Sequence, residues 1–244
     1  MYGPELAKVY ETIYESRGKN WAKEADRIAQ LIRARLPAAD SLLDVACGTG
    51  AHLATFATLF GHVEGLERSA AMREGAYNRL ADVVVHDGDM RNFELNRTFD
   101  AVVCMFTAIS YVGGLSAMRG AIAAMVRHLN PGGVLVVEPW WSPDEFIEGY
   151  VAGDLVREDN GRTIARVSHS TREGNATRLE QRFLVGGPDG ITSFTEVDFL
   201  TLFTPAEYFA AIRDAGCSAE FLDHDSIGVA VIPAGRGLYL GIRE

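Results

Sequence analysis

Cysteine is scarce in this chain, and its three residues, Cys47, Cys104 and Cys217, lie far apart. No C-x-x-C pair occurs and the number is odd, which excludes a disulfide-stapled scaffold and a zinc ribbon. Thiols that stay reduced are typical of a cytoplasmic protein. The six histidines and the scattered carboxylates show no metal-ligand spacing, so we expect no bound metal.

Positive charge is also in short supply. Lys and Arg number 23 against 33 Asp and Glu, giving a formal net charge of −10 at pH 7. Nucleic-acid binding needs a basic face, so this balance argues against a nucleic-acid partner. No apolar run has the about 20 residues that cross a bilayer. Residues 1–5 show neither the basic nor the apolar region of a secretory signal, and we expect a cytoplasmic protein with no membrane partner.

Apolar strands and helix-compatible segments alternate between Leu42 and Glu138. Valine-rich, nearly continuous apolar strands joined by helices indicate a parallel sheet covered on both faces. The predicted helices are Trp21–Leu36, Ala51–Phe60, Ala70–Leu80 and Leu115–Leu129. The predicted strands are Leu42–Ala46, Val63–Glu67, Val83–His86, Phe99–Met105 and Val134–Glu138.

The composition changes after Trp141. Three segments rich in Thr, Val, Phe and Arg, separated by glycine turns, predict an antiparallel insertion of three strands: Thr163–Ser170, Thr177–Val185 and Ile191–Phe203. A Thr-Pro N-cap then opens a helix that ends at Ala215. Ser218–Leu222 and Arg236–Ile242 should close the sheet, antiparallel to each other.

These elements predict an α/β fold with a Rossmann-like sheet and a small antiparallel insertion after the fifth strand. We expect residues 1–140 plus 204–244 to form the cofactor-binding domain, and residues 141–203 to form a small domain that covers the substrate.

A tight glycine turn, Asp44-Val45-Ala46-Cys47-Gly48-Thr49-Gly50, follows the first of these strands. Glycines there let a ligand approach bare backbone. The dinucleotide fingerprint needs a third glycine, where this chain has Leu53. Asp44 would also oppose a pyrophosphate at the helix N-terminus. The turn therefore favours a cationic, phosphate-free cofactor such as S-adenosylmethionine.

Two further acidic positions agree with that cofactor. Glu67 ends the second strand, about twenty residues past the glycines. An acidic side chain there can accept hydrogen bonds from both ribose hydroxyls. Asp89 follows the third strand and can accept from the adenine amino group, while Met90 offers an apolar face to the ring. Each feature alone is weak, but their order and spacing together favour S-adenosylmethionine.

With these motifs in place, the chain resembles the class I S-adenosylmethionine-dependent methyltransferases. More narrowly, it resembles the bacterial N,N-dimethyltransferases that act on dTDP-linked 3-aminodeoxysugars for antibiotics, of the desosamine and mycaminose type. The resemblance covers nearly the whole chain, and Pro139-Trp140-Trp141 and Arg172-Glu173-Gly174 are its most specific parts. It implies a homodimer in which the small β-domain contributes to the subunit contact.

The resemblance also implies roles for single residues. Tyr2 and Tyr111 match substrate-contacting positions near the reacting amine, and we take both as catalytic candidates acting by positioning. Trp140 and Trp141 match the sugar pocket, and Arg236 matches the arginine that grips the nucleotide pyrophosphate. Lys19 also matches a position near the cofactor. The cofactor-binding candidates are Tyr10, Tyr14, Arg17, Asp44, Ala46, Gly48, Gly50, Glu67, Asp89, Met90 and Met105.

Several alternatives stay open from the sequence. Tyr10 and Tyr14 stand one helical turn apart, which fits core packing as well as cofactor contact. Adjacent strand residues face opposite ways, so we expect one of Trp140 and Trp141 in the core. The chain could instead methylate an oxygen or nitrogen of a free or already glycosylated natural product, or bind the cofactor without turnover. The segment Asp223–Ile232, longer than in desosamine-type enzymes, points to a different sugar or nucleotide end.

Overall fold

The computed structural model describes residues 3–223, 227 and 237–244, and in this part of the chain the strands form two separate sheets. The large sheet contains β1 (Ser41–Val45), β2 (His62–Glu67), β3 (Val84–Asp87), β4 (Phe99–Cys104), β5 (Leu129–Val137), β10 (Cys217–Asp223) and β11 (Gly237–Arg243). The small sheet contains β6 (Tyr150–Arg157), β7 (Thr163–Glu173), β8 (Ala176–Gly187) and β9 (Gly190–Thr201).

The helices lie mainly on the two faces of the large sheet. A short 3-10 helix, Ala108–Val112, follows β4. The α-helices are α1 (Pro4–Ala7), α2 (Tyr10–Ser16), α3 (Trp21–Arg35), α4 (Ala51–Leu59), α5 (Ala70–Arg79), α6 (Leu115–Arg127) and α7 (Pro205–Asp214). Among the described residues, no helix combines the length and the apolar character that crossing a membrane requires.

The strand order of the large sheet is β10-β11-β5-β4-β1-β2-β3, with β1 to β5 parallel and β11 antiparallel to both β5 and β10. Alternate strand residues enter two cores. Leu43 and Val102 pack on the side of α6 and α7, whereas Leu42 and Val103 pack on the side of α3 and α4. The predicted fold class and the antiparallel closing strands are confirmed.

The boundaries of two helices follow from local capping. The Asn20 side chain accepts from the Lys23 backbone N–H at 2.9 Å and starts α3. At α7, Thr204 and Glu207 form a capping box, with Pro205 in the first turn. The predicted starts of both helices are therefore confirmed.

The prediction for β5 was too short at its beginning. The segment Asn130–Gly133 resembles a turn but lies within β5, which begins at Leu129 beside Phe99. A register shift between Phe99 and Ala101 absorbs the irregular segment. For the same reason α6 ends at Arg127 rather than at Leu129.

The small sheet has four strands, β6-β7-β8-β9, where the sequence predicted three. The missed strand, β6, contains Gly153 and Asp154, which are poor strand formers. Pairing with β7 along the whole length of β6 overrides this local preference. The inner face of the small sheet packs on α2 through β6 and on the 3-10 helix through β9. It therefore covers the edge of the large sheet where β4 ends.

Candidate active site

The turn between β1 and α4 runs through left-handed backbone. Ala46, Gly48 and Gly50 have φ of 60°, 58° and 76°, and Gly50 is the N-cap of α4 without a side-chain cap. The Cys47 N–H donates to the Leu66 carbonyl at 3.1 Å and ties the turn to β2. A ligand can therefore approach the backbone of the turn closely.

This turn forms one wall of a cavity of about 220 Å³, which we call the cofactor cavity. Its other walls come from the ends of β2, β3 and β4, from Tyr10 of α2 and Trp21 of α3, and from the 3-10 helix. The predicted cofactor residues that line it are Tyr10, Asp44, Ala46, Gly48, Glu67, Asp89, Met90 and Met105, and Tyr111 lines it as well.

Glu67 holds the glycine turn in place with both carboxylate oxygens. Oε2 accepts from the Gly48 N–H at 3.1 Å and Oε1 from the Ser69 N–H at 2.6 Å. Burial raises the pKa of Glu67, and these backbone donors partly counter the effect. A carboxylate oxygen accepts more than one hydrogen bond, so Glu67 keeps acceptor capacity for a ligand hydroxyl in the cavity.

Asp44 is a buried carboxyl beside the same cavity. It is 1% exposed, and its Oδ2 has no hydrogen-bond partner. Burial, together with the charge of Glu67, raises the pKa of Asp44 to about 8. An unpartnered carboxylate is costly in such a site unless a cation faces it. The cavity therefore fits a positively charged ligand, and it opposes a phosphate.

Asp89 at the end of β3 is paired with arginine. Its Oδ1 accepts from Arg91 Nε at 2.8 Å, and Arg68 Nη1 lies 3.2 Å from Oδ2. The hydrogen bond from Arg91 lowers the pKa of Asp89. Asp89 is thus ionised near neutral pH, and Met90 beside it adds an apolar wall to the cavity.

A second cavity, of about 260 Å³, lies between α2, the 3-10 helix and the small sheet. We call it the acceptor cavity. It shares Phe106 and Tyr111 with the cofactor cavity. Other lining residues include Tyr14, Arg17, Trp140, Trp141, Arg166 and Ser168. Tyr14 and Arg17, predicted near the cofactor, therefore border the acceptor cavity instead.

Both tryptophans line the acceptor cavity, so the expectation that one lies in the core is wrong. Side chains alternate between the two faces only within a strand, and β5 ends at Val137, before both tryptophans. Trp140 donates from Nε1 to Thr177 Oγ1 at 3.0 Å, which fixes its ring against the small sheet. Aromatic walls of this kind are common in pockets for small molecules.

The wall between the two cavities has unusual backbone. Phe106 and Thr107 have φ of 50° and 62°, in the left-handed region that side chains disfavour. Glu138 Oε2 accepts from the Phe106 N–H at 2.6 Å and holds this turn. Burial raises the pKa of Glu138 to about 7. Strained backbone held by a buried side chain is frequent at functional sites.

Lys19, matched to a position near the cofactor, lies behind this wall. Its ammonium group pairs with Glu24 and sits 4.0 Å from the centre of the Phe106 ring. Glu24 also bonds His52 Nε2 at 3.0 Å. Lys19 borders neither cavity, and it supports the position of Phe106 from the core side.

Two predicted site residues, Tyr2 and Arg236, lie outside the described residues, as does most of the segment Asp223–Ile232. Trp21, Phe106 and Asp198 also line the cofactor cavity, although none of them was predicted from the sequence. Phe106 follows the fourth strand directly, a position where ligands gather in parallel sheets, and this signal could have found it. Asp198 lies within a strand that is distant in sequence, and no local signal marks it.

The two glycines of the turn should respond differently to substitution. Both Gly48→Ala and Gly50→Ala place a side chain at positive φ, at a cost of about 1–2 kcal/mol. A methyl group on Gly50 would also meet Ala76 Cβ at 3.3 Å, whereas one on Gly48 meets no protein atom within 4 Å and lies at the cavity. We expect only Gly48→Ala to weaken the binding of S-adenosylhomocysteine, and Gly50→Ala to lower the melting temperature more. Calorimetric titration and thermal melts of both variants check this, and equal affinities would contradict it.

Comparison with known proteins agrees with this geometry. Residues 42–133 match the family model described as a methyltransferase domain. A dTDP-3-amino-3,4,6-trideoxy-alpha-D-glucopyranose N,N-dimethyltransferase of Streptomyces venezuelae is 50% identical over 99% of both chains. A dTDP-4-amino-2,3,4,6-tetradeoxy-D-glucose N,N-dimethyltransferase of Saccharopolyspora spinosa is 47% identical over 100% of this chain and 95% of its own. This chain belongs to the family of aminodeoxysugar N,N-dimethyltransferases.

Solved structures of such dimethyltransferases and related sugar methyltransferases share the fold over the full length. DesVI of Streptomyces venezuelae has a TM-score of 0.92 and 48% identity, with both chains covered completely. CalS10, an amino pentose methyltransferase from Micromonospora echinaspora with S-adenosylmethionine bound, has a TM-score of 0.87 and 54% identity over 97% of each chain. The cofactor of the present enzyme is S-adenosylmethionine, which carries positive charge. The unpartnered Oδ2 of Asp44 fits that charge, and the open space at Gly48 lets a ligand approach the backbone closely.

Proposed function

We propose that this enzyme methylates the amino group of a dTDP-linked aminodeoxysugar twice, in the biosynthesis of an antibiotic. The observation that supports this most is the pair of joined cavities. One carries acidic groups suited to S-adenosylmethionine, and the other has aromatic walls suited to a sugar and the half-buried Arg17 suited to a phosphate. The wall that they share, at Phe106 and Tyr111, is the place where a methyl group and an amine can meet.

The protein's contribution to this chemistry is positioning. When bound, S-adenosylmethionine supplies an activated methyl group on a sulfonium, so the transfer needs no covalent intermediate with the protein. Orienting two reactants can supply up to about 7–11 kcal/mol of the barrier. We assign Tyr111 to orienting the amine because it borders both cavities, and Trp140 and Trp141 to the sugar. Tyr2 is assigned from the resemblance as a lid over the site.

For the cofactor, we assign Glu67 to the ribose hydroxyls and Asp89 with Met90 to the adenine. We assign Asp44, Ala46, Gly48 and Met105 to the methionine part of the cofactor. Tyr14 and Arg17 are assigned to the substrate, since they border the acceptor cavity. Gly50 supports the turn, because it caps α4 and does not line the cavity.

The other candidate function is methylation of a free or glycosylated natural product, and Arg236 separates the two. A pyrophosphate clamp has a purpose only when the substrate carries a nucleotide. We expect thymidine diphosphate to bind the enzyme loaded with S-adenosylhomocysteine, and Arg236→Ala to weaken that binding at least tenfold, as expected for a charge-assisted contact. Calorimetric titration measures both, with Arg119→Ala on the exposed face of α6 as the control. No binding to the wild type would favour the other function.

We also propose that the enzyme is a cytoplasmic homodimer whose outer small-sheet face meets a second copy. The three cysteines are unpaired, which is typical of reducing compartments. On the outer face, large apolar side chains alternate with the inward-facing ones along all four strands. They are Val151, Leu155, Val167, Leu184, Val197 and Phe199, each at least 39% exposed. A second copy would cover this apolar patch and remove it from water.

Charges on this face should break the dimer. The double variant Leu155→Glu with Val167→Glu places four negative charges in a two-fold contact, so it should sediment as a monomer where the wild type sediments as a dimer. Val84→Glu, at an equally exposed position of the large sheet, is the control and should stay dimeric. A monomeric wild type, or a dimeric double variant, would contradict the proposed contact.

A further inference from the structure

Asp198 is a buried acidic side chain between the two sheets. It lies on the inner face of β9, is 4% exposed, and lines the cofactor cavity together with Tyr10, Phe106 and Tyr111. Phe106 and Tyr111 are also the residues that the two cavities share. β9 packs on the 3-10 helix, and Leu200 on the same face of β9 lines the acceptor cavity, so Asp198 lies at the end of the cofactor cavity that faces the acceptor cavity.

The hydrogen bonds around Asp198 leave its charge without a guanidinium partner in the described part of the chain. Arg166, the nearby buried cation, is paired with Asp154 at 2.6 Å and donates from Nε to Gln181 Oε1 at 2.9 Å. Gln181 Nε2 in turn donates to Asp198 Oδ2 over a long 3.4 Å. Arg166 thus fixes the amide of Gln181, and the amide touches Asp198 only weakly.

The titratable groups that face Asp198 come from each element around it. Among the described residues, Tyr14 of α2 and Glu196 of β9 interact electrostatically with Asp198, and Tyr10 of α2 and Tyr111 of the 3-10 helix line the same cavity. Burial, with a contribution from Glu196, raises the pKa of Asp198 to about 6. The carboxyl is therefore largely ionised at neutral pH and still a usable base.

N-methylation makes a demand that positioning alone does not meet. The amine must be neutral to attack: its lone pair forms the new C–N bond while the S–C bond breaks and its electrons stay on sulfur. Each transfer leaves a positively charged nitrogen that still carries a proton. Before the second transfer, that N–H bond must break, its electron pair must stay on nitrogen, and the proton must reach an acceptor.

We propose that Asp198 binds the substrate's ammonium group and accepts the proton that the amine loses before each methyl transfer. An O–H bond forms on Asp198 as the N–H bond breaks, and the proton then passes to solvent. This inference rests on the proposed function and adds a proton acceptor to it. Asp44 and Glu67 are less suited, because the cofactor itself faces them.

The test compares Asp198→Asn with Asp189→Asn, which removes an equal charge at the exposed turn between β8 and β9. With a dTDP-linked aminodeoxysugar at neutral pH, we expect Asp198→Asn to lower kcat about 100-fold, the usual contribution of a general base. The loss should shrink as the pH rises and more amine is neutral, and the monomethylated product should accumulate. Asp189→Asn should keep the wild-type rate. An Asp198→Asn variant with wild-type kcat, pH profile and product ratio overturns the proposal.

Separate control measurements test whether the Asp198→Asn variant folds and whether the enzyme prefers an amine substrate. Because the folded-state pKa of Asp198 lies above its unfolded value, ionisation disfavours folding above about pH 6, and the neutral asparagine should not lower the melting temperature. Unchanged affinity for S-adenosylhomocysteine shows an intact cofactor cavity. In the wild type, the dTDP-linked amine should also bind at least tenfold more tightly than its hydroxyl analogue, and equal binding overturns the ammonium contact. If the wild type methylates no dTDP-linked amine, that result contradicts the proposed function and not the role of Asp198.

Discussion

A Glu67→Gln variant should bind S-adenosylmethionine at least about 100-fold more weakly than the wild type. Both oxygens of Glu67 accept from backbone N–H groups, at Gly48 and Ser69. A glutamine has one oxygen and one NH₂ group, so its NH₂ group would have to face the N–H of Gly48 or Ser69, and the negative charge is lost. Hydrogen bonds to charged groups contribute about 1.5–3 kcal/mol each. Weakening the two bonds that we assign from the ribose hydroxyls to Glu67 therefore costs about 3 kcal/mol of binding free energy at the lower value.

Calorimetric titration with S-adenosylmethionine and S-adenosylhomocysteine measures this loss. Glu74→Gln, on the exposed face of α5, is the matched control and should keep the wild-type affinity. The variant should lose affinity for both ligands to a similar degree, since the ribose is common to them. An affinity within threefold of the wild type would show that Glu67 only shapes the turn.

Cofactor binding should release a proton from Asp44. In the free enzyme, the pKa of Asp44 is raised to about 8, so the carboxyl is largely protonated at neutral pH. A cation in the cavity favours the ionised form and lowers this pKa, so binding releases the proton. The affinity should therefore fall as the pH falls below about 8, approaching tenfold for each pH unit.

Asp44→Asn should remove this pH dependence and weaken binding most at alkaline pH, where the wild-type carboxylate is charged. The same variant should be more stable than the wild type above neutral pH when the cofactor is absent. The raised folded-state pKa means that the wild type loses stability as the pH rises through about 8, and asparagine has no such loss. Titrations in two buffers with different ionisation enthalpies count the released protons, with Asp214→Asn as an exposed control. Equal proton release by Asp44→Asn would contradict this assignment.

The central strands of the large sheet, such as β1 and β4, could be predicted from the sequence because they are buried on both faces and read as nearly unbroken apolar runs. Where pairing overrides local chemistry, prediction failed. β6 contains Gly153 and Asp154 and is a strand only because β7 pairs with it along its whole length. Asn130–Gly133 has the composition of a turn, yet it lies within β5. Both features depend on partners far away in sequence.

In the candidate site, too, some residues could be predicted from the sequence and others could not. The acidic positions Asp44, Glu67 and Asp89 could be placed because strand ends meet at one edge of a parallel sheet. The spacing of Tyr10 and Tyr14 on α2 could not show which cavity each would border, since that depends on how the helix crosses the sheet. The structure places Tyr10 at the cofactor cavity and Tyr14 at the acceptor cavity. Asp198 reaches the site from a sheet joined late in the chain, and its neighbours in sequence give no hint of this.

Product analysis by mass spectrometry tests the central claim most directly. The purified enzyme would be incubated with S-adenosylmethionine and, separately, with dTDP-linked 3-amino sugars, a 4-amino sugar and an amino pentose, because the relatives differ in these features. At least one of these substrates should gain the mass of one and then two methyl groups, with two equivalents of S-adenosylhomocysteine formed. An enzyme that binds S-adenosylmethionine but methylates none of them, and instead methylates an aminosugar already attached to an aglycone, would contradict the account.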